Sequence, residues 1–207
     1  MKATEAKLLE FLKKSSQFVI PIYQRTYSWT AKESGQLWDD VVRTGSDDAI
    51  SVHFVGSIVY IEASDWNVTL QSPLLVIDGQ QRLTTLTLLL AALANALDEC
   101  DEKLREPIEG FSPRKLRNYY LLNPEETGER HYKLILSQTD KATLISVIDK
   151  ADEPKDASLR ISQNYAYFKE RIAACQGDFS ALCKGLAKLI VVDIALKRDL
   201  DNPQLIF

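Results

Sequence analysis

Five consecutive residues, Asp78-Gly79-Gln80-Gln81-Arg82, put a carboxylate, a glycine, two amides and a guanidinium between two apolar stretches. An arginine fork holds phosphate oxygens in pairs, and a glycine lets a ligand approach main-chain N–H groups. Asp78 is suited to orienting Arg82, binding a divalent cation through oxygen, or positioning an attacking water. Gln80 and Gln81 are suited to holding that water, because an amide donates and accepts but is no strong base. The plainer alternative is an Asp78–Arg82 ion pair with the glutamines as caps. Burying four such polar groups between apolar elements is costly unless partners exist, which favours a ligand.

Two other stretches carry chemistry. Tyr23-Gln24-Arg25-Thr26-Tyr27-Ser28-Trp29 follows Pro21 and has no helical period. Arg25 reads as a second cationic clamp, and Tyr23, Tyr27 and Trp29 offer ring faces to a stacked base, worth about 1–3 kcal/mol each. Tyr27 and Trp29 also stand just before a capped helix, where core or staple packing is the common duty. Gly56-Ser57 interrupts a β-rich run, as expected where backbone or ligand comes close. His53 reads as a packed strand residue, and Asp193 has no assigned role.

The elements that must position these groups follow from the pattern. Leu74–Ile77 is a short apolar block, Asp-Gly a turn, and Leu83–Leu97 an apolar run without Gly or Pro. A buried strand therefore turns sharply into a buried helix, whose free N–H groups and dipole attract anions. Upstream, Thr4–Lys14 reads as a short helix and Phe18–Ile20 as an extended piece. Thr30 and Glu33 form a capping box for a helix with Leu37, Trp38, Val41 and Val42 on one stripe, ended by Gly45. His53–Ile61 and Trp66–Leu70 read as strands. After a charged stretch at Asp98–Glu109, the basic run Arg114–Arg117 reads as a solvated face. His131–Leu136 is extended and Asp140–Asp149 helical, with Ala151–Ala157 as a linker. Ile161, Tyr165, Phe168 and Ile172 mark an amphipathic helix. Asp178 caps another helix, and Leu189–Ala195 is a late strand. Asn202-Pro203 opens a helix at the very end, which reads as a chain continuing into something longer.

Composition narrows the classes. The 207 residues carry a net charge of −4, so contact with a polyanion has to come from a local cationic patch. Three cysteines without CxxC spacing point to a reducing cytoplasm. The start is no signal peptide, and the longest apolar run is too short to span a bilayer. Two distant histidines leave little for a His-based metal or triad enzyme, and no metal ligands of the protein's own are expected.

Three ordered stretches, Ile20–Trp29, Phe54–Val59 and Ile77–Leu86, together resemble the GmrSD/SspE-type N-terminal domain, a DGQQR-motif family of modification-dependent restriction proteins. The likeness is strongest over roughly the first hundred residues and fainter through Arg130–Asp140, Ile161–Ile172 and Pro203–Phe207. It implies an α+β fold: a ParB/sulfiredoxin-like small mixed sheet with a buried helix after the turn, followed by a mostly helical part. The corresponding division is residues 1–110 and 111–207. It further implies a nucleoside triphosphate with Mg²⁺ at Gly79-Gln80-Gln81-Arg82, with Asp78, Gln80, Gln81 and Arg82 catalytic. Gly79, Arg82, Arg25, Gly56 and Ser57 would bind phosphate, and Tyr23, Gln24, Arg25, Tyr27 and Trp29 would sense modified phage DNA. Family members couple this domain to a His-Asn-His type nuclease, which these residues do not contain, and a homodimer is a further expectation. The alternative is a non-catalytic reader gripping backbone phosphate with the same box. The sulfiredoxin cysteine has no counterpart here, which argues against redox chemistry.

Overall fold

The computed structural model describes residues 1–62 and 72–196. The expected strand at Trp66–Leu70 and the helix start at Asn202-Pro203 lie outside these. Among the described residues the chain forms strands β1 (Lys2–Lys7), β2 (Phe18–Val19), β3 (His53–Glu62), β4 (Leu74–Asp78), β5 (Leu134–Ile135) and β6 (Leu189–Leu196). The helices are α1 (Leu8–Lys14), α2 (Ala31–Ser46), α3 (Gln80–Glu99), α4 (Pro113–Leu116), α5 (Gln138–Asp149), α6 (Leu159–Ala173) and α7 (Ser180–Ala187). A mixed six-stranded sheet runs in the order β1-β6-β3-β4-β2-β5. The architecture is α+β, as expected.

Strands from both sides of residue 110 share that sheet: β6 lies between β1 and β3, and β5 borders β2. One apolar core likewise draws on both stretches, with Leu8, Val76 and Leu89 beside Phe168, Leu186 and Val191. The residues after 110 therefore help to build the core that holds the turn.

Helix α3 is the centre of that core. Leu83, Leu86, Leu88, Leu89, Leu90, Leu93 and Leu97 are all nearly inaccessible, so the helix is enclosed on every side. Its threonines fit such a setting by bonding back along the helix. Thr84, Thr85 and Thr87 donate to the carbonyls of Gln80, Gln81 and Leu83 at 2.9, 2.8 and 2.8 Å. Helices α4, α5 and α6 pack around α3, while α2 packs on α7.

Two expected boundaries are corrected. Thr4–Lys14 is not one helix: Lys2–Lys7 pairs antiparallel with β6, and only Leu8–Lys14 is helical. An edge strand with exposed faces carries no alternation of its own, so its pairing partner decides its state. Gly45 does not stop α2, which runs through Ser46. Gly45 is a crossing point instead: a Cβ there would lie 1.7 Å from the Ala181 carbonyl oxygen of α7.

Candidate functional site

The turn after β4 is built by two glycines. Gly79 takes a left-handed conformation (φ 94°), as residue preceding the first turn of α3. A Cβ on it would stand 2.9 Å from the Ser57 carbonyl and 3.2 Å from the Ile58 Cα, so β3 presses directly on the turn. Gln80, Gln81 and Arg82 are thereby pulled into the first helical turn, where their amide N–H groups have no partner within the helix. No acidic side chain lies in that turn to use up its positive end.

Arg82 is half-buried, and its guanidinium lies on Gly56. A Cβ at that glycine would be 2.6 Å from the Arg82 Cζ, and its φ of +110° is itself one that side chains avoid. The Arg82 Nη1 donates to the Ser57 carbonyl at 2.7 Å. The close approach expected at Gly56-Ser57 is thus that of Arg82, and these two residues act by fixing the direction of its fork. One bond to a carbonyl leaves the charge uncompensated and most donors available. No ion pair joins Asp78 to Arg82; the Asp78 carboxylate is half-buried and makes no hydrogen bond or ion pair among the described residues.

Gln81 has a different duty. It is 6% exposed. Its oxygen accepts from the main-chain N–H of Ser28 (2.8 Å) and Trp29 (3.2 Å), and its amide donates to the Thr26 carbonyl at 3.2 Å. The side chain is spent on anchoring the 23–29 loop, which leaves it poorly placed to hold a water. Gln80 reaches the Gln24 oxygen at 3.4 Å, and Gln24 in turn donates to the Ile77 carbonyl at 2.9 Å. Replacing Gln81 with alanine is expected to strand these loop groups. Hydrogen exchange at the Ser28 and Trp29 amides should then speed up by about tenfold or more, as loss of bonds worth about 1–3 kcal/mol implies.

Tyr27 corrects an expectation. It is 5% exposed, so its ring offers no face to a base. Thr85 already donates to Gln81, so the Tyr27 hydroxyl donates to Thr85 (2.7 Å), and burial pushes its pKa up to about 12. Trp29 is half-buried against the core. Of the expected sensing residues, Tyr23 is 73% exposed and Arg25 is exposed, with no ion pair for Arg25 among the described residues. The loop therefore has a clamped base and an apex where Ile22, Tyr23 and Arg25 are exposed while Gln24 is tied back to the Ile77 carbonyl.

The base of that loop is held by residues that the motifs did not reveal. Buried Asp140, at the start of α5, accepts from the Tyr27 N–H at 2.6 Å. Asn164 of α6, fully buried, donates to the Trp29 carbonyl at 2.8 Å and bonds Ser34. Asn164 stands three residues after Ile161 and four before Phe168, so a polar residue on an apolar stripe was the available signal. Asp193, unassigned in sequence, pairs in register with Ile58 and has one buried oxygen without a hydrogen-bond partner.

The geometry is that of an α+β domain with a guanidinium posted beside a buried helix start and an anchored, solvent-facing loop nearby. The chain belongs to the GmrSD restriction endonuclease N-terminal domain family, whose model matches residues 8–207. That membership makes it a restriction-system component. No match is found among curated proteins. No helix among the described residues is long and apolar enough to cross a membrane, and none of their His, Cys, Asp and Glu side chains form a group of three fit to hold a metal.

Proposed function

We propose that the Gly79 turn binds the phosphates of a nucleoside triphosphate, and that its hydrolysis is coupled to a nuclease domain outside this chain. The observation that carries this reading is the Arg82 guanidinium, aimed by Gly56 and the Ser57 carbonyl and left without a carboxylate partner. The N–H groups of Gln80–Arg82, which have no partner within the helix, would together with this fork supply donors for phosphate oxygens. Phosphoryl transfer needs mainly positioning and charge neutralisation, which such a set supplies.

The residues present fit a magnesium–nucleotide rather than a metal held by protein alone. Mg²⁺ commonly takes one or two carboxylates and completes its shell with phosphates and waters. Asp78, next to the turn and unpaired, would hold it, and the ion would neutralise charge on the phosphates. Gln80 is the remaining side chain suited to orienting a water, with Gln81 as a positioning residue for the loop. Tyr23 and Arg25 at the loop apex would face modified DNA, with Gln24 joining that apex to Gln80 and thus to the nucleotide. We place the protein in the cytoplasm, where modified phage DNA arrives.

The second reading, a grip on backbone phosphate without turnover, draws on the engagement of Gln81 with the loop, which leaves few groups to activate water. Phosphate release from nucleoside triphosphate and Mg²⁺ by the purified chain, with and without modified DNA, separates the two. Turnover that depends on Arg82 supports hydrolysis. Tight DNA binding with no turnover under either condition supports the reader.

A further inference from the structure

A second cationic concavity lies at the opposite end of the parallel strands from the Gly79 turn. It has a volume of about 430 Å³ and is bounded by the residues just before β2, β4 and β5 and by the 123–126 loop. Four cationic side chains line it: Lys13, Lys14, Arg130 and Lys133. Lys14 and Arg130 are exposed and have no carboxylate partner among the described residues. The Lys13 ammonium lies 4.5 Å from the centre of the Tyr119 ring. Glu125 and Glu126, both exposed, share the lining and are outnumbered.

Lys133 makes the place unusual. It is 7% exposed, yet no carboxylate stands within ion-pair distance of it. Its Nζ donates only to the main-chain carbonyls of Ser15 and Lys13, at 2.5 and 3.3 Å, and burial lowers its pKa. An ammonium taken out of water with partial dipoles as its only partners is under-compensated, and an anion nearby would relieve it. The walls are already fixed. Gln17 donates to the carbonyls of Glu129 and Tyr132, Asn123 to those of Ser16 and Arg130, and Ser16 to that of Ser72. The polar groups of the frame are thus used on one another, which leaves Lys14 and Arg130 as the cationic groups of the lining without a carboxylate partner among the described residues. In a chain of net charge −4 such an excess is local and built.

We propose that this concavity is a phosphate-binding site, separate from the Gly79 turn, which takes a phosphodiester of nucleic acid or a free phosphate group. Arg130 supplies a bidentate fork, Lys13 and Lys14 supply point charges, and Lys133 supplies field from the floor. Only four residues lie between Gln17, on its wall, and Ile22, at the loop apex, a span of roughly 17 Å of extended chain. A duplex resting on the apex would therefore have backbone within reach of it.

The test uses the whole chain and a charge reversal confined to exposed residues, Lys14→Glu with Arg130→Glu, because Lys133→Met risks the fold. Two probes are titrated: a 12-base-pair duplex at several salt concentrations, and inorganic phosphate. For a backbone site, duplex affinity should fall at least tenfold and the slope of log affinity against log salt should drop by about two. Loss of inorganic phosphate binding with unchanged duplex binding would support the site with free phosphate as its guest. Unchanged binding of both probes overturns the proposal. Arg82→Ala, assayed beside it, should leave phosphate binding at the second site intact, so failure at one site is distinguishable from failure at the other.

Discussion

Arg82→Ala is expected to leave the protein folded while lowering nucleoside-triphosphate turnover by about 10²–10³-fold, the usual effect of deleting one preorganised donor to a reacting phosphate or oxyanion. The structural cost is small because the side chain is half-buried and makes one hydrogen bond, to the Ser57 carbonyl at 2.7 Å. Losing such a bond costs about 1 kcal/mol. Arg82→Lys should keep part of the affinity, since it restores charge without the fork. Gly56→Ala gives an independent version of the experiment. It leaves Arg82 in the sequence but places a methyl 2.6 Å from its Cζ, so the guanidinium must move. Loss of turnover in both variants, with near-wild-type thermal stability for Arg82→Ala, assigns the effect to where the charge stands. Steady-state phosphate release and thermal melting are the two measurements.

The largest expected effect on stability comes from a site with no chemistry. Helices α2 and α7 cross with their backbones nearly touching, Gly45 against Gly185. A Cβ at Gly185 would lie 1.9 Å from the Val41 carbonyl oxygen, and one at Gly45 would lie 1.7 Å from that of Ala181. Both obstacles are backbone, so no rotamer change relieves them and the helices must part. Overpacking of a core typically costs 1–3 kcal/mol and more when backbone has to shift, so Gly185→Ala should cost about 3 kcal/mol or more. For a chain of this size that is a fall of roughly 6–12 °C in melting temperature. The double replacement should fall well short of the sum, because helices already parted by one methyl have room for the other. Thermal melting of the two single variants and the double variant checks this.

These two cases show what the sequence discloses. The strand, turn and buried helix around Gly79 are legible because apolar blocks and an Asp-Gly turn are local signals. The capping box at Thr30 and Glu33 is equally local: the Thr30 N–H donates to the Glu33 carboxylate at 2.7 Å. Gly45 is a helix terminator by local rules, and only the approach of α7, 140 residues on, shows why a glycine is needed within α2. The same holds for Gln81. Its type and place suit catalysis, but its hydrogen bonds depend on the path of the 23–29 loop, which nothing near residue 81 encodes. Tyr27 is read as a platform or as core until Thr85 and Asp140 enclose it. β1 escapes detection because an exposed edge strand has no buried face, and its pairing with β6 bridges almost the whole chain.

Crystals of the protein soaked with a non-hydrolysable nucleoside triphosphate and Mg²⁺ would show where phosphate sits. Phosphate density is expected against the N–H groups of Gln80 and Gln81, within hydrogen-bond distance of the Arg82 fork, with the ion beside Asp78. Nucleotide bound away from the Gly79 turn, with the Arg82 guanidinium touching no phosphate, would contradict this placement.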